Sequence, residues 1–159
     1  MNAPAKPAAS HIGLCVTDLD RSLRFYCDGL GFERVQTYTL DDTMLADLAR
    51  SLEVESPVAV TSQFIVLGDM KIELLSYARP AVSGTPSSSR GHIGFTHLSF
   101  YVDDVDATAE SLVLLGGTII QSTRANLGID LVFLADPDGA RVELMSPRPR
   151  WRHVADQPS

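Results

Sequence analysis

Two histidines and two glutamates fall at matching places in two copies of one pattern. HIGLCVTDLD (11–20) and HLSFYVDDVD (97–106) align position for position, and KIELLS (71–76) is echoed by RVELMS (141–146). Imidazole nitrogens and carboxylate oxygens bind divalent cations, and a set of two of each suits Zn, Ni, Mn, Co or Fe(II). One octahedral ion held by His11, Glu73, His97 and Glu143 keeps two positions for water or substrate. A lone histidine at a strand start is more often a hydrogen-bonded structural residue, and a lone glutamate in an apolar strand commonly faces solvent. Four at symmetric positions resist that reading, because half-buried carboxylates without a cation cost free energy. His92 and His153 have no partner in the repeat and stand outside the set.

The elements that must position these residues follow from the same repeat. The histidines are 86 residues apart and the glutamates 70, which leaves 16 extra residues in the first copy. The segment DDTMLADLARSLEVES (41–56) has that length and no counterpart in the second copy. It reads as an inserted helix or lid, with Met44, Leu45, Leu48 and Leu52 spaced for one helical face. A cap on a sheet edge or a dimer contact fits it equally well. Each copy otherwise reads as strand, helix and three strands. In the first, a strand at 11–17 leads to a helix at 20–30, capped by Asp18 or Asp20 and stopped at Gly29 or Gly31. Strands are expected near 32–39, 58–67 and 70–77, with a hairpin turn at Gly68-Asp69. In the second, the strand is 95–102, the helix 105–115, and the later strands lie near 118–121, 131–135 and 141–146. The modules span 10–77 and 94–147, joined by a Ser-rich linker at 78–93 and followed by a tail at 148–159.

Strand alternation sends successive side chains to opposite faces. Ile12, Leu14 and Val16 take one face and His11, Gly13 and Cys15 the other. Leu98, Phe100 and Val102 likewise oppose His97, Ser99 and Tyr101. Ile72 and Leu74 flank Glu73, as Val142 and Leu144 flank Glu143. All four polar residues therefore point away from the face a helix would cover. Cys15, Ser99 and Tyr101 share that face and are candidate substrate contacts, with Gln63 and Arg124 as further candidates. Trp151, in the tail, is placed to dock on the body or on a second subunit.

A formal charge of −7 argues against nucleic acid or an anionic membrane as partner, since phosphate binding rests on Lys and Arg. No apolar run is long enough to span a bilayer, and the first residues lack the apolar core of a secretory signal. Cys15 and Cys27 have no paired spacing and read as reduced thiols of a cytoplasmic protein.

HIGLCVTDLDRSLRFYCDGLGF, KIELLSY, THLSFYVDDVDATAESLVLLGG and FLADPDGARVELMSP together resemble the vicinal oxygen chelate superfamily. That superfamily includes glyoxalase I, methylmalonyl-CoA epimerase, extradiol dioxygenases, fosfomycin-resistance enzymes and bleomycin-binding proteins. The resemblance covers roughly residues 10 to 147. It implies an α+β fold of two tandem βαβββ modules, an open, U-shaped eight-stranded sheet around one divalent metal ion, and a homodimer. Members resembling glyoxalase I use all four positions, here His11, Glu73, His97 and Glu143. The ion then binds vicinal oxygens of a small substrate, and a carboxylate moves a proton through an enediolate or enolate. By that resemblance Glu143 is the base and Glu73 its symmetric counterpart. An Fe(II) extradiol dioxygenase would use His11, His97 and Glu143, and a drug-sequestering resistance protein would do no chemistry. The epimerase usually has glutamine at the place of Glu73. No basic cluster suggests glutathione or coenzyme A recognition, and Arg90 and Arg124 are placed in loops.

Overall fold

The computed structural model describes residues 7–44 and 47–146, so Leu45 and the tail with Trp151 and His153 lie outside the described residues. The fold is α+β, with two compact units divided between Gly84 and Thr85. The first contains β1 (Ile12–Cys15), α1 (Leu19–Leu23) with a π-helical continuation (Arg24–Gly29), β2 (Glu33–Asp41), α2 (Leu48–Ser51), β3 (Ala59–Leu67) and β4 (Met70–Arg79). The second contains β5 (Leu98–Tyr101), α3 (Val105–Leu114), β6 (Thr118–Asn126), β7 (Asp130–Ala135) and β8 (Arg141–Ser146). The four-stranded sheets have the same order, β1-β4-β3-β2 and β5-β8-β7-β6. In each, the first strand runs parallel to the last and the remaining pairs are antiparallel.

Matching caps start the two main helices. Asp18 accepts from the Arg21 amide and Asp104 from the Ala107 amide, each at 2.9 Å, satisfying one of the donors a helix start leaves open. α3 stops short of Gly116, whose φ of +98° continues no right-handed helix. Each sheet buries one face under its helix. Val16, Phe25, Tyr26, Ile65, Ile72 and Leu74 form the first core, and Leu112, Val132, Leu134, Val142 and Leu144 the second. The β7–β8 turn is held by buried Asp136, whose Oδ1 accepts from the amides of Asp138 (2.9 Å) and Ala140 (2.7 Å). That carboxylate fixes where β8, and hence Glu143, begins.

Three expectations are corrected. β1 and β5 are shorter than 11–17 and 95–102, so His11 and His97 stand one residue before their strands. β6 runs on to Asn126 and takes in Arg124, which is therefore on a strand and not in a loop. The 41–56 insert is not one helix. β2 occupies Asp41, whose Oδ1 then accepts from the amides of Thr43 (2.9 Å) and Met44 (3.1 Å), a local turn that competes with helix. Among the described residues of the insert only Leu48–Ser51 is helical, and Met44 is 64% exposed where the one-face spacing expected it buried.

Candidate metal centre

Each unit builds one histidine–glutamate pair, and the two pairs are constructed alike. His11 Nε2 lies 3.0 Å from Glu73 Oε2, and His97 Nε2 lies 3.4 Å from Glu143 Oε2. The register explains the meeting, since the residue two past each histidine is directly across from the glutamate, Gly13 opposite Glu73 and Ser99 opposite Glu143. On the antiparallel side, Phe64 is opposite Glu73 and Phe133 opposite Glu143. Those phenyl rings meet the imidazoles edge to face, at 5.2 Å and 86° in the first unit and 5.1 Å and 87° in the second. Each histidine is thus fixed by a ring below and a carboxylate beside it.

The second ring nitrogens are also matched. Ser10 Oγ is 3.0 Å from His11 Nδ1, and Thr96 Oγ1 is 2.9 Å from His97 Nδ1. A hydroxyl can donate to Nδ1 when Nε2 carries a proton, or accept from Nδ1–H when Nε2 binds a cation. Either way Nε2 is the nitrogen turned to the carboxylate. The side chains of Glu73 and Glu143 are only 18% and 13% exposed, so a positive partner offsets a real desolvation cost. Imidazole nitrogen and carboxylate oxygen are donor types that hold a divalent cation, and each unit presents one of each in the same way. Among the described residues neither pair gains a third His, Cys, Asp or Glu suited to holding a metal.

The carboxylates differ in one respect. Glu73 has both oxygens engaged, Oε2 by His11 and Oε1 by the Ser62 hydroxyl on β3 at 2.5 Å. Glu143 takes His97 and the Ser99 hydroxyl (2.7 Å) on the same atom, Oε2. Among the described residues no hydrogen bond reaches its Oε1.

The other candidate contacts divide. Cys15 and Tyr101 lie on the histidine side of β1 and β5, Cys15 exposed and Tyr101 half-buried. Ser99 touches Glu143 itself. Gln63 and Arg124 are not brought to the pairs. Gln63 is buried on the helix side, where its amide bonds Gln36 O (3.1 Å), Phe64 O (2.9 Å) and the Thr37 hydroxyl (2.6 Å) at a bulge in β2. The Arg124 guanidinium is paired with Asp106 in the first turn of α3. Arg90 donates to the carbonyls of Thr96 and Ser87, bracing the chain just before His97.

Phe64, Phe133, Ser62, Ser10 and Thr96 were not among the sequence candidates. Phe64 and Phe133 precede their glutamates by 9 and 10 residues, so it is the strand register that reveals them as equivalent. Tyr77 was also missed. It lies on the Glu73 side of β4, and burial pushes its phenol up, with Cys15 and Glu73 near enough to push the same way.

These paired sheets and half-sites place the molecule in a known class. The chain belongs to the Glyoxalase/Bleomycin resistance protein/Dioxygenase superfamily, whose profile matches residues 8–144. It is 30% identical over 154 residues to a 2-epi-5-epi-valiolone epimerase from Actinomyces sp., covering 90% of this chain and 81% of the relative. It is also 30% identical over 139 residues to a probable lactoylglutathione lyase from Synechocystis sp., covering 85% and 92%. In fold it resembles a fosfomycin resistance protein from Listeria monocytogenes, solved with Mn(II) and sulfate. The TM-score there is 0.57 at 18% identity, over 91% of this chain and 95% of that one. Among the described residues no helix is long and apolar enough to cross a membrane.

Proposed function

We propose that the chain is a metal-dependent lyase or isomerase of the glyoxalase type, moving a proton beside a carbonyl of a small substrate with vicinal oxygens. The observation that carries this reading is the duplicated pair, a histidine Nε2 facing a half-buried carboxylate in each unit. His11, Glu73, His97 and Glu143 would be the residues that hold the ion. When bound, that ion polarises the substrate's two oxygens and favours enediolate or enolate character.

The residues divide the remaining work. Glu143, with Oε1 clear of hydrogen bonds among the described residues, takes the proton from the carbon next to the carbonyl and returns it. The Ser99 hydroxyl holds its other oxygen, so the carboxylate keeps its aim while Oε1 stays basic. Glu73, bonded at both oxygens, is the positioned ligand. The relatives named epimerase and lyase support a proton-moving chemistry, although the fold alone does not choose a reaction. Arg90 and Arg124 are both spent on internal contacts, which favours a substrate without the carboxylates of glutathione.

The test is solvent exchange. Metal-loaded protein in D₂O, given a panel of α-hydroxy ketones and 2-oxo thioesters, should place deuterium on the carbon beside the carbonyl, and Glu143→Gln should abolish it. Oxygen uptake with catechols and no exchange would replace this reading with ring-cleaving oxygenation through His11, His97 and Glu143. Tight binding of the panel or of bleomycin, unchanged, would leave a sequestering protein.

A further inference from the structure

The two half-sites match, but what lies beside them does not. In the first unit, Glu73, Leu75 and Tyr77 follow one another on the same side of β4. Leu75 and Tyr77 are packed against the cluster of Leu48, Val58 and Val60, together with Leu40, Ala49, Leu52 and Val54. Leu48, Ala49, Leu52 and Val54 all belong to the 41–56 insert. The insert therefore lies on the Glu73 side of the sheet and is not a cap on its edge. Its base is clamped there, because Asp42 Oδ2 accepts from the Ser56 hydroxyl (2.9 Å) and the Val58 amide (3.1 Å).

Among the described residues the second unit has no counterpart of this insert. Where the insert stands in the first, β6 turns straight into β7, closed by Leu127 N–H to Ile129 O at 3.0 Å and the Asn126 amide on Asp130. The residue two past Glu143 is Met145, half-buried, and among the described residues no helix follows β6 to cover it. An apolar wall thus begins one side chain away from Glu73 and has no twin beside Glu143 among the described residues.

We infer that the insert forms a specificity subsite, in which Leu75 and Tyr77, backed by Leu48 and Leu52, receive an apolar substituent on the carbon skeleton of a vicinal-dioxygen substrate. This rests on the chelate reading above and adds its substrate class, a small compound carrying an alkyl or aryl group on one side of its two oxygens. The polar end of the wall is the Tyr77 hydroxyl. As a hydroxyl it can donate to an oxygen at the substrate's rim. A fully charged or sugar-like substituent would be desolvated there without partners.

Hydroxamates test this, because their two adjacent oxygens chelate a divalent ion whatever group they carry. Calorimetry on the Mn(II)-loaded protein would compare acetohydroxamate, butyrohydroxamate and benzohydroxamate. The inference predicts that affinity rises about tenfold or more from the methyl to the phenyl compound, the gain expected from burying such a group. Leu48→Ala and Leu75→Ser should each cut that gain to about threefold or less, with acetohydroxamate affinity held. Leu75 is half-buried, so its variant should fold even if Leu48→Ala does not. No gain in the wild type, or the same gain in both variants, overturns the subsite while the chelate reading stands. Failure of acetohydroxamate itself to bind overturns both.

Discussion

Gly13 and Ser99 occupy the same place in the two sheets, each directly across a parallel pair from a glutamate, yet only Ser99 carries a hydroxyl. Ser99 donates to Glu143 from that place, whereas Glu73 takes its hydroxyl from Ser62 on the neighbouring antiparallel strand. The repeat is therefore symmetric in its histidine–glutamate pairs and asymmetric in how the carboxylates are held.

That asymmetry predicts different losses. Ser99→Ala removes a charge-assisted bond from the proposed base and should slow solvent exchange by about tenfold, with metal content retained. Ser62→Ala should instead weaken metal binding, with a smaller effect on the exchange rate at saturating metal. Equal effects of the two variants on both readouts would contradict the division of roles.

The hydroxyls behind the histidines are testable separately. Thr96→Val keeps shape but takes away the partner of His97 Nδ1. Loss of such an outer contact typically costs about 10- to 100-fold in metal affinity. Titration of the apo-protein with Mn(II) should show a shift of that size, and an unchanged affinity would remove Thr96 from the site.

Much of this arrangement was legible in the sequence, and the reasons are physical. Burial on one face forces alternation, so Ile72, Leu74, Val142 and Leu144 announced β4 and β8 and placed Glu73 and Glu143 on the opposite face. Asp18 or Asp20 reads as the cap of the first helix, and it is Asp18 that accepts from the Arg21 amide. β6 was read too short because residues such as Arg124 and Asn126 on an exposed edge strand need not alternate. The insert misled for a different reason. Leu48 and Leu52 do pack, but Asp41 bonds its own following amides and ends the regularity before Met44. Hydroxyl partners such as Ser62 and Thr96 carry no periodic signature, and only the register reveals them.

The insert should also respond to acid. The Ser56 hydroxyl, and after it the Val58 amide, holds the Asp42 carboxyl below the usual carboxylate range, and the Thr43 hydroxyl does the same for Asp41. Both groups favour their ionised form in the fold, so what they contribute is present above the ordinary carboxylate pKa and is lost as pH falls through the lowered value. Amide protection at Met44 and Val58 should therefore drop below about pH 4 while the protection of β4 persists. Asp42→Asn should lower protection at Val58 already at neutral pH and leave Met44, which Asp41 holds, unchanged.

The core beneath the second pair sets a stability benchmark. Leu144 is fully buried next to Glu143 on β8. Leu144→Ala should destabilise by about 2–5 kcal/mol in denaturant unfolding. A change of a few tenths would mean that the sheet face described here is not the core.

Metal content is the most direct test of the central claim. Wild type and the variants Glu73→Ala and His97→Ala would be purified without added metal and measured by elemental analysis per chain. One ion on the four residues predicts about one equivalent in the wild type and loss of most of it in both variants, although they lie in different units. Full retention by Glu73→Ala, or no metal in the wild type even after reconstitution, would contradict it.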